Sequence, residues 1–311
     1  MTLAALTLPL LLAKPTVPSL MPLQTDLDAM CAKFNGKIGY AVVIPDTGQR
    51  ISFNGDRPFP SASTIKTSIL IEAVNQVDEG KLKWTDVKVV PPTKERTPNM
   101  SSMWTYFLRD DVKVNLDGWC NLMITYSDNT ATKVVGMWVG NQAIKSRMEK
   151  LGLPRTAFLS YAPPEATYFR RWNRSYGMGM TTPNEMAHLW EQIYRKKVAS
   201  EAGSERVLKI LKRQYWDDYA GASCPPEVSV ASKSGAISRS RSENAIVYGD
   251  IPYVFIVYTD DQKDQRWSSD NEGDVAIATM ANKVWNYLHP KRTYTPPKGS
   301  EKFAPTGGGV E

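Results

Sequence analysis

Histidine is almost missing from this chain of 311 residues, which has only His188 and His289. A hydrolytic centre built on serine, histidine and aspartate needs one of them as its base, so the scarcity argues against that design. Cysteine is nearly as rare. Cys31, Cys120 and Cys224 are too few, and odd in number, for a disulfide framework. Their spacing matches no zinc site, and no metal or other cofactor is expected. The almost wholly apolar residues 2–13 fall short of the ~20 residues that cross a bilayer, so no stable membrane span is expected. Their length suits a signal-peptide core, although no lysine or arginine precedes them. Export to the periplasm or the medium is the expectation they raise. Lysine and arginine total 38 against 32 acidic residues, a net charge of +6, but form no basic run interleaved with aromatics. Nucleic acid is therefore not an expected partner, and the excess reads as a mildly basic soluble surface.

Hydrophobic residues make up 42% of the chain and charged residues 23%, ordinary for a globular protein. The Pro-rich residues 14–23 read as a linker, so residues 1–23 are taken as leader and linker. Apolar residues at helical spacing up to Phe34 suggest a first helix. A hairpin comes next, with Ile38–Ile44 and Gln49–Phe53 joined at Asp46-Thr47-Gly48. From about 64 to 210 the periodicity is mostly helical, with helices expected over 117–125, 129–139, 142–150 and 184–197. Thr182 and Pro183 mark the start of the last of these. Strands return at 228–234, 244–248 and 253–259, and a final helix at 273–288. The expected class is α/β: an antiparallel sheet flanked by the terminal helices (24–60 and 211–290) plus a mostly helical subdomain (61–210). Residues 291–311 read as a disordered tail. A cleft between the two parts is the natural place for a small ligand, and a monomer is expected.

Three short strings carry the chemistry: Ser63-Thr64-Ile65-Lys66, Ser127-Asp128-Asn129 and Lys233-Ser234-Gly235. Residues three apart on a helix share a face, so Lys66 can bring an amine to the Ser63 hydroxyl. A serine hydroxyl needs such a base to become a nucleophile, and lysine serves when burial and neighbouring cations depress its pKa. Ser127 can pass the proton to a leaving nitrogen, Asn129 can meet a substrate amide, and Asp128 can brace the turn. Lys233 supplies positive charge, Ser234 can bind a carboxylate, and Gly235 allows close approach. The amides of Ser63 and Ala236 would form an oxyanion hole. Ser-Asp-Asn recurs at 269–271, in a polar stretch before the last helix, where it reads as a loop and cap.

In this order the strings resemble those of class A β-lactamases and penicillin-binding proteins. Phe59–Lys66, Ser127–Ala131, Thr181–Met186 and Lys233–Ala236 all look like family segments, and the resemblance spans about residues 24–290. It implies an α/β sandwich with a helical domain. Ser63 would be the acylated nucleophile, Lys66 the activating amine and Ser127 the proton shuttle. Asn129 would contact the substrate, and Lys233, Ser234 and Arg241 would hold its carboxylate, with Arg239 competing for the last role. Trp104 and Tyr106 would either wall the cleft or pack in the core. Family members of class A carry a Glu-x-x-x-Asn segment that positions the deacylating water. Here Glu165 falls near the glutamate, but Phe169 stands in place of the asparagine. The resemblance implies three functions, in order of preference. The first is a β-lactamase acting through a Ser63 acyl-enzyme with Glu165 as base. The second is a D,D-peptidase or related hydrolase, acting on a peptidoglycan-like substrate with slow deacylation. The third is a non-catalytic binding protein.

Overall fold

The computed structural model describes residues 16–97, 102–216 and 218–297. The apolar run 2–13 lies outside them. Five antiparallel strands form the main sheet in the spatial order Arg50–Phe53, Lys37–Val43, Tyr253–Asp260, Ser240–Val247, Val230–Ile237. Both of its faces are covered, so the central strands are buried along their whole length. Alternation of side chains divides them between two cores. Tyr40, Val42, Phe255 and Val257 point to the helices Met21–Lys33 and Glu272–Leu288. Ala41, Val43, Val254 and Ile256 point the other way, into a core shared with Ile69, Trp119, Val135 and Trp190 of the helical part.

Helix Lys66–Asp78 runs through the middle of that second core. Every residue from Lys66 to Gln76 is buried, the polar Lys66, Thr67, Ser68, Glu72, Asn75 and Gln76 included. The helices expected in the middle of the chain are present as Leu116–Thr125, Asn129–Val139, Asn141–Lys150 and Pro183–Tyr194. Thr182 caps the last by accepting from the Glu185 amide at 3.2 Å, with Pro183 in its first turn. Asn271 caps the final helix by accepting from the Gly273 and Asp274 amides. The second Ser-Asp-Asn is thus a helix start and takes no part in a cleft.

Helix Met21–Lys33 begins inside the expected linker 14–23, with Leu20 and Leu23 buried, and two further features depart from the sequence reading. Phe59–Pro60, Gly179–Thr181 and Ala157–Phe158 form a small sheet beside the main one, with strands too short to show a period. Residues 291–297 lie against the last helix: the Arg292 carbonyl accepts from Trp285 Nε1 at 3.0 Å, and the Tyr294 carbonyl from Asn282 and Asn286, each at 3.0 Å. The rest of the expected tail, 298–311, is outside the described residues. Among the described residues no helix is long and apolar enough to cross a membrane.

Candidate active site

Ser63 sits in a short 3-10 turn, Ala62–Ile65, that leads directly into helix Lys66–Asp78. The entry is strained, since Ala62 has φ 45°, a region that non-glycine residues enter at a cost. Ser61 anchors the turn by donating its amide to the Gly179 carbonyl at 2.9 Å. Ser63 is half-buried while its neighbours Ala62, Thr64, Ile65 and Lys66 are buried, so its hydroxyl stands at the surface of an otherwise closed wall. Its amide donates to no backbone carbonyl among the described residues.

Lys66 is fully buried. Its Nζ donates to the Ser127 carbonyl at 2.5 Å, to Ser127 Oγ at 3.1 Å and to Asn129 Oδ1 at 2.7 Å. All three contacts are to the Ser127–Asn129 turn, and Ser63 Oγ is not among them. The expected pairing of Lys66 with Ser63 is therefore completed on the far side, by a serine that can carry the proton onward. Burial, then repulsion from Lys233, holds the Lys66 amine well below its ordinary pKa, against a smaller opposing pull from Asp128. The direction of that shift is the one a general base needs.

The turn itself is held from behind. Ser127 has φ 56°. Asp128 caps helix Asn129–Val139 by accepting from the Ala131 amide at 2.8 Å. It also accepts from the Thr105 amide at 3.1 Å and from Thr105 Oγ1 at 2.9 Å. Burial raises the Asp128 carboxyl, and these donors oppose the shift. The Thr105 arm is clamped in turn by Arg96, whose Nη1 donates to the carbonyls of Thr105, Tyr106 and Leu108 at 2.8, 2.9 and 2.6 Å. The arm presents Trp104, 43% exposed, whose ring lies 4.5 Å from Tyr126; Tyr126 lies 5.6 Å from Tyr215, itself 50% exposed. Trp104 and Tyr106 are thus surface residues, as a cleft wall requires. Tyr126 and Tyr215 extend the row. No local pattern announces this, because Tyr215 reaches the turn only through a long-range bond from its amide to the Thr125 carbonyl, 3.0 Å.

Strand Val230–Ile237 is the edge of the main sheet. Lys233 is fully buried, and burial pushes its amine down to about 7, with Glu243 opposing. Its Nζ donates to the Ser234 carbonyl at 2.8 Å. Gly235 has a different purpose from the one its motif suggested: a Cβ there would fall 2.8 Å from the Ser63 nitrogen and 3.0 Å from the Ser61 carbonyl oxygen. The missing side chain lets the Ser63 turn itself, not only a substrate, touch the strand. Ala236 lies opposite Arg241. The Arg241 amide points across to Thr259 Oγ1 at 2.7 Å, so in antiparallel pairing the Ala236 amide points the other way, out of the open edge. Both expected oxyanion donors are therefore unclaimed by neighbouring strands.

Two assigned residues are elsewhere. Arg241 is buried on the opposite face of the sheet, where its guanidinium donates to Asp274 at 3.0 Å and to the carbonyls of Ile237 and Arg266 at 2.6 and 2.8 Å. The next residue, Ser242, faces the Ser63 turn, and its Oγ donates to the Ser61 carbonyl at 3.3 Å. One step of strand alternation thus removes Arg241 from carboxylate binding. Arg239 is committed to Asp260 and to the Ser175 carbonyl. Glu165 is exposed just ahead of helix Thr167–Tyr176, and its carboxylate bonds to none of the described residues. Phe169 is buried with Ala157, Leu159 and Met180 in a core of its own, so it fills space where the motif would hold a water. Phe169, Trp172 and Tyr176 stand at helical spacing, the sequence signal that points Phe169 inward.

A buried lysine, a serine at a strained helix entry and an outward amide on the adjoining sheet edge are the parts of a serine hydrolase. The model of the β-lactamase enzyme family matches residues 22–288, and the chain belongs to that family. It is similar to β-lactamase PSE-4 of Pseudomonas aeruginosa, 21% identical over 276 residues that cover 85% of this chain and 89% of that one. Among solved structures it resembles a β-lactamase from Sphaerobacter thermophilus, with TM-score 0.73, 22% identity and coverage of 88% and 99% of the two chains. It also resembles a point mutant of PBP-A solved as an acyl-enzyme with penicillin G, with TM-score 0.75, 22% identity and coverage of 89% and 99%. These last likenesses concern the fold.

Proposed function

We propose that this protein opens the β-lactam ring by acylation of Ser63. Neutral Lys66 takes the hydroxyl proton as Ser63 Oγ attacks the lactam carbonyl. The amides of Ser63 and Ala236 receive the oxyanion. The proton crosses from Lys66 to Ser127 Oγ, 3.1 Å away, and on to the departing nitrogen. Asn129 and the cleft wall orient the amide, and Lys233 with Ser234 takes the carboxylate in place of an arginine. The observation that carries this reading is the fully buried Lys66 amine, bonded to both Ser127 and Asn129 one turn after Ser63.

For the release step, the exposed Glu165 and the buried Phe169 favour the second reading: a long-lived acyl-enzyme, as suits a penicillin-binding peptidase acting on peptidoglycan-like amides. A missing general base typically costs about 10²–10⁴-fold in rate. The acyl-enzyme of the PBP-A mutant with penicillin G, on a similar scaffold, supports a persistent adduct. Mixing the protein with a chromogenic cephalosporin while following product and intact mass tests both steps. A stoichiometric burst with a lasting adduct on Ser63 supports slow release, and steady turnover with a transient adduct supports a β-lactamase. Absence of any adduct, with no change on Ser63→Ala, removes acylation altogether and leaves a binding protein.

A further inference from the structure

Helix Thr167–Tyr176 carries three arginines and no carboxylate. Phe169 anchors its inner side. Arg170, Asn173 and Arg174, spaced three and four apart, share another face, which lines a cleft of ≈ 310 Å³ together with the segment Leu159–Ala162. This is near the lower end of the volumes that hold small molecules, about 300–1,000 Å³.

The two guanidiniums in this lining differ from most of the protein's arginines. Of 16 in the chain, ten pair with a carboxylate among the described residues. Arg170 does not, and its Nη1 donates only to the Pro164 carbonyl at 3.2 Å. Arg174 makes no ion pair or side-chain hydrogen bond with a described residue. Two cations one turn apart repel one another, and no acidic side chain lines the cleft to offset them. The opposite side of the cleft is strained: Tyr161 has φ 60°, an outlying conformation for so bulky a residue. Of the five other described non-glycine residues with positive φ, Ala62 and Ser127 flank the acyl site and Asn54, Lys196 and Asp261 lie in exposed turns. Beside Tyr161, Ser160 Oγ accepts from Asn173 Nδ2 at 3.3 Å, adding neutral polar groups to the lining.

We propose that this cleft binds an oxyanion, a phosphate or carboxylate group on a larger ligand, through the guanidinium forks of Arg170 and Arg174. A guanidinium meets either group with two parallel N–H bonds, and two forks on one helix face can grip one anion from adjacent sides. The site uses none of the residues assigned to acylation.

Titration calorimetry of the whole protein with inorganic pyrophosphate, and separately with glutarate, tests it. Saturable one-to-one binding is expected, with the tighter probe identifying phosphate or carboxylate as the preferred group. Affinity should fall at least tenfold in Arg170→Gln/Arg174→Gln and less in Arg174→Lys, which keeps the charge without the fork. Lys233→Gln should leave it unchanged. Circular dichroism checks the fold of the double variant, and if that variant is unfolded the Arg174→Lys result decides. The proposal is overturned if neither probe saturates, if binding survives the double variant in its folded state, if Arg174→Lys binds as wild type when the double variant is unfolded, or if Lys233→Gln abolishes binding, which would place the anion at the acyl site.

Discussion

Replacing Gly235 by alanine isolates the contact on which the acyl site is built. The added Cβ would fall 2.8 Å from the Ser63 nitrogen, 3.0 Å from the Ser61 carbonyl oxygen and 2.7 Å from Ser242 Oγ. A hydroxyl can rotate away, but two backbone atoms cannot. Carbon reaches comfortable contact at about 3.5 Å, so the strand and the turn must separate by roughly 0.7 Å. Overpacking of this kind costs about 1–3 kcal/mol, which for a chain of this size lowers the Tm by roughly 2–10 °C. The kinetic effect should be larger than the thermal one, because the separation lies between the two oxyanion donors. A misplacement near 1 Å costs about 10²-fold in rate, so acylation should slow by roughly ten- to a hundredfold. Stopped-flow acylation by a chromogenic cephalosporin, beside a thermal melt, measures both. A variant that melts like wild type and acylates within twofold of it would refute this role of Gly235.

Glu165→Gln should leave the rate of adduct loss within twofold, measured by intact mass over time, because the exposed carboxylate engages none of the described residues. Phe169→Asn should lower stability by roughly 3 kcal/mol in urea titration, since it empties a buried site and introduces an amide, without speeding release. Acylation should fall above about 7, as Lys233 loses the charge that meets a carboxylate. Because burial lowers Lys233 from 10.5 to about 7, its stabilising contribution is complete above 10.5 and is lost as pH falls towards 7. Denaturant titrations between pH 7 and 10 should therefore show stability rising with pH, and Lys233→Met should flatten the slope. Arg241→Met should cost about 1–3 kcal/mol, because Asp274 keeps the Tyr219 hydroxyl while the Ile237 and Arg266 carbonyls lose a donor, yet leave acylation well below the Tm within threefold.

Much of this fold is legible in local signals. Helix Asn129–Val139 begins at the Asp128 cap and ends at Gly140, the pattern its sequence announces. The order of the three strings, with a strand beneath Lys233 and a helix after Ser63, is enough to distinguish the working Ser-Asp-Asn from its copy at 269. What escapes a local reading depends on pairing between distant segments. The face of Arg241 is fixed by the register Ala236↔Arg241, which no single strand encodes. The strands Phe59–Pro60 and Ala157–Phe158 have two residues each, too few for a period. Helix Thr167–Tyr176 is not hidden in the same way, since Phe169, Trp172 and Tyr176 recur at helical spacing and pack into one small core.

The two halves of the proposed reaction rest on different kinds of structure. Acylation draws on parts that are over-determined: a helix buried on every side, a turn braced by Asp128 and Thr105, and a strand edge pressed on Ser63 at Gly235. Each part depends on the others, because the depressed Lys66 amine needs both the burial that the helical core gives and the Lys233 charge that the sheet supplies. Release would draw on the segment 162–177, which is held by a small separate core around Phe169 and exposes Glu165. Such a segment can change with little effect on the fold, whereas a change at Gly235 or Lys66 disturbs fold and chemistry together. In the proposed reaction, that asymmetry ties acylation to the fold and leaves release to a segment the fold can spare.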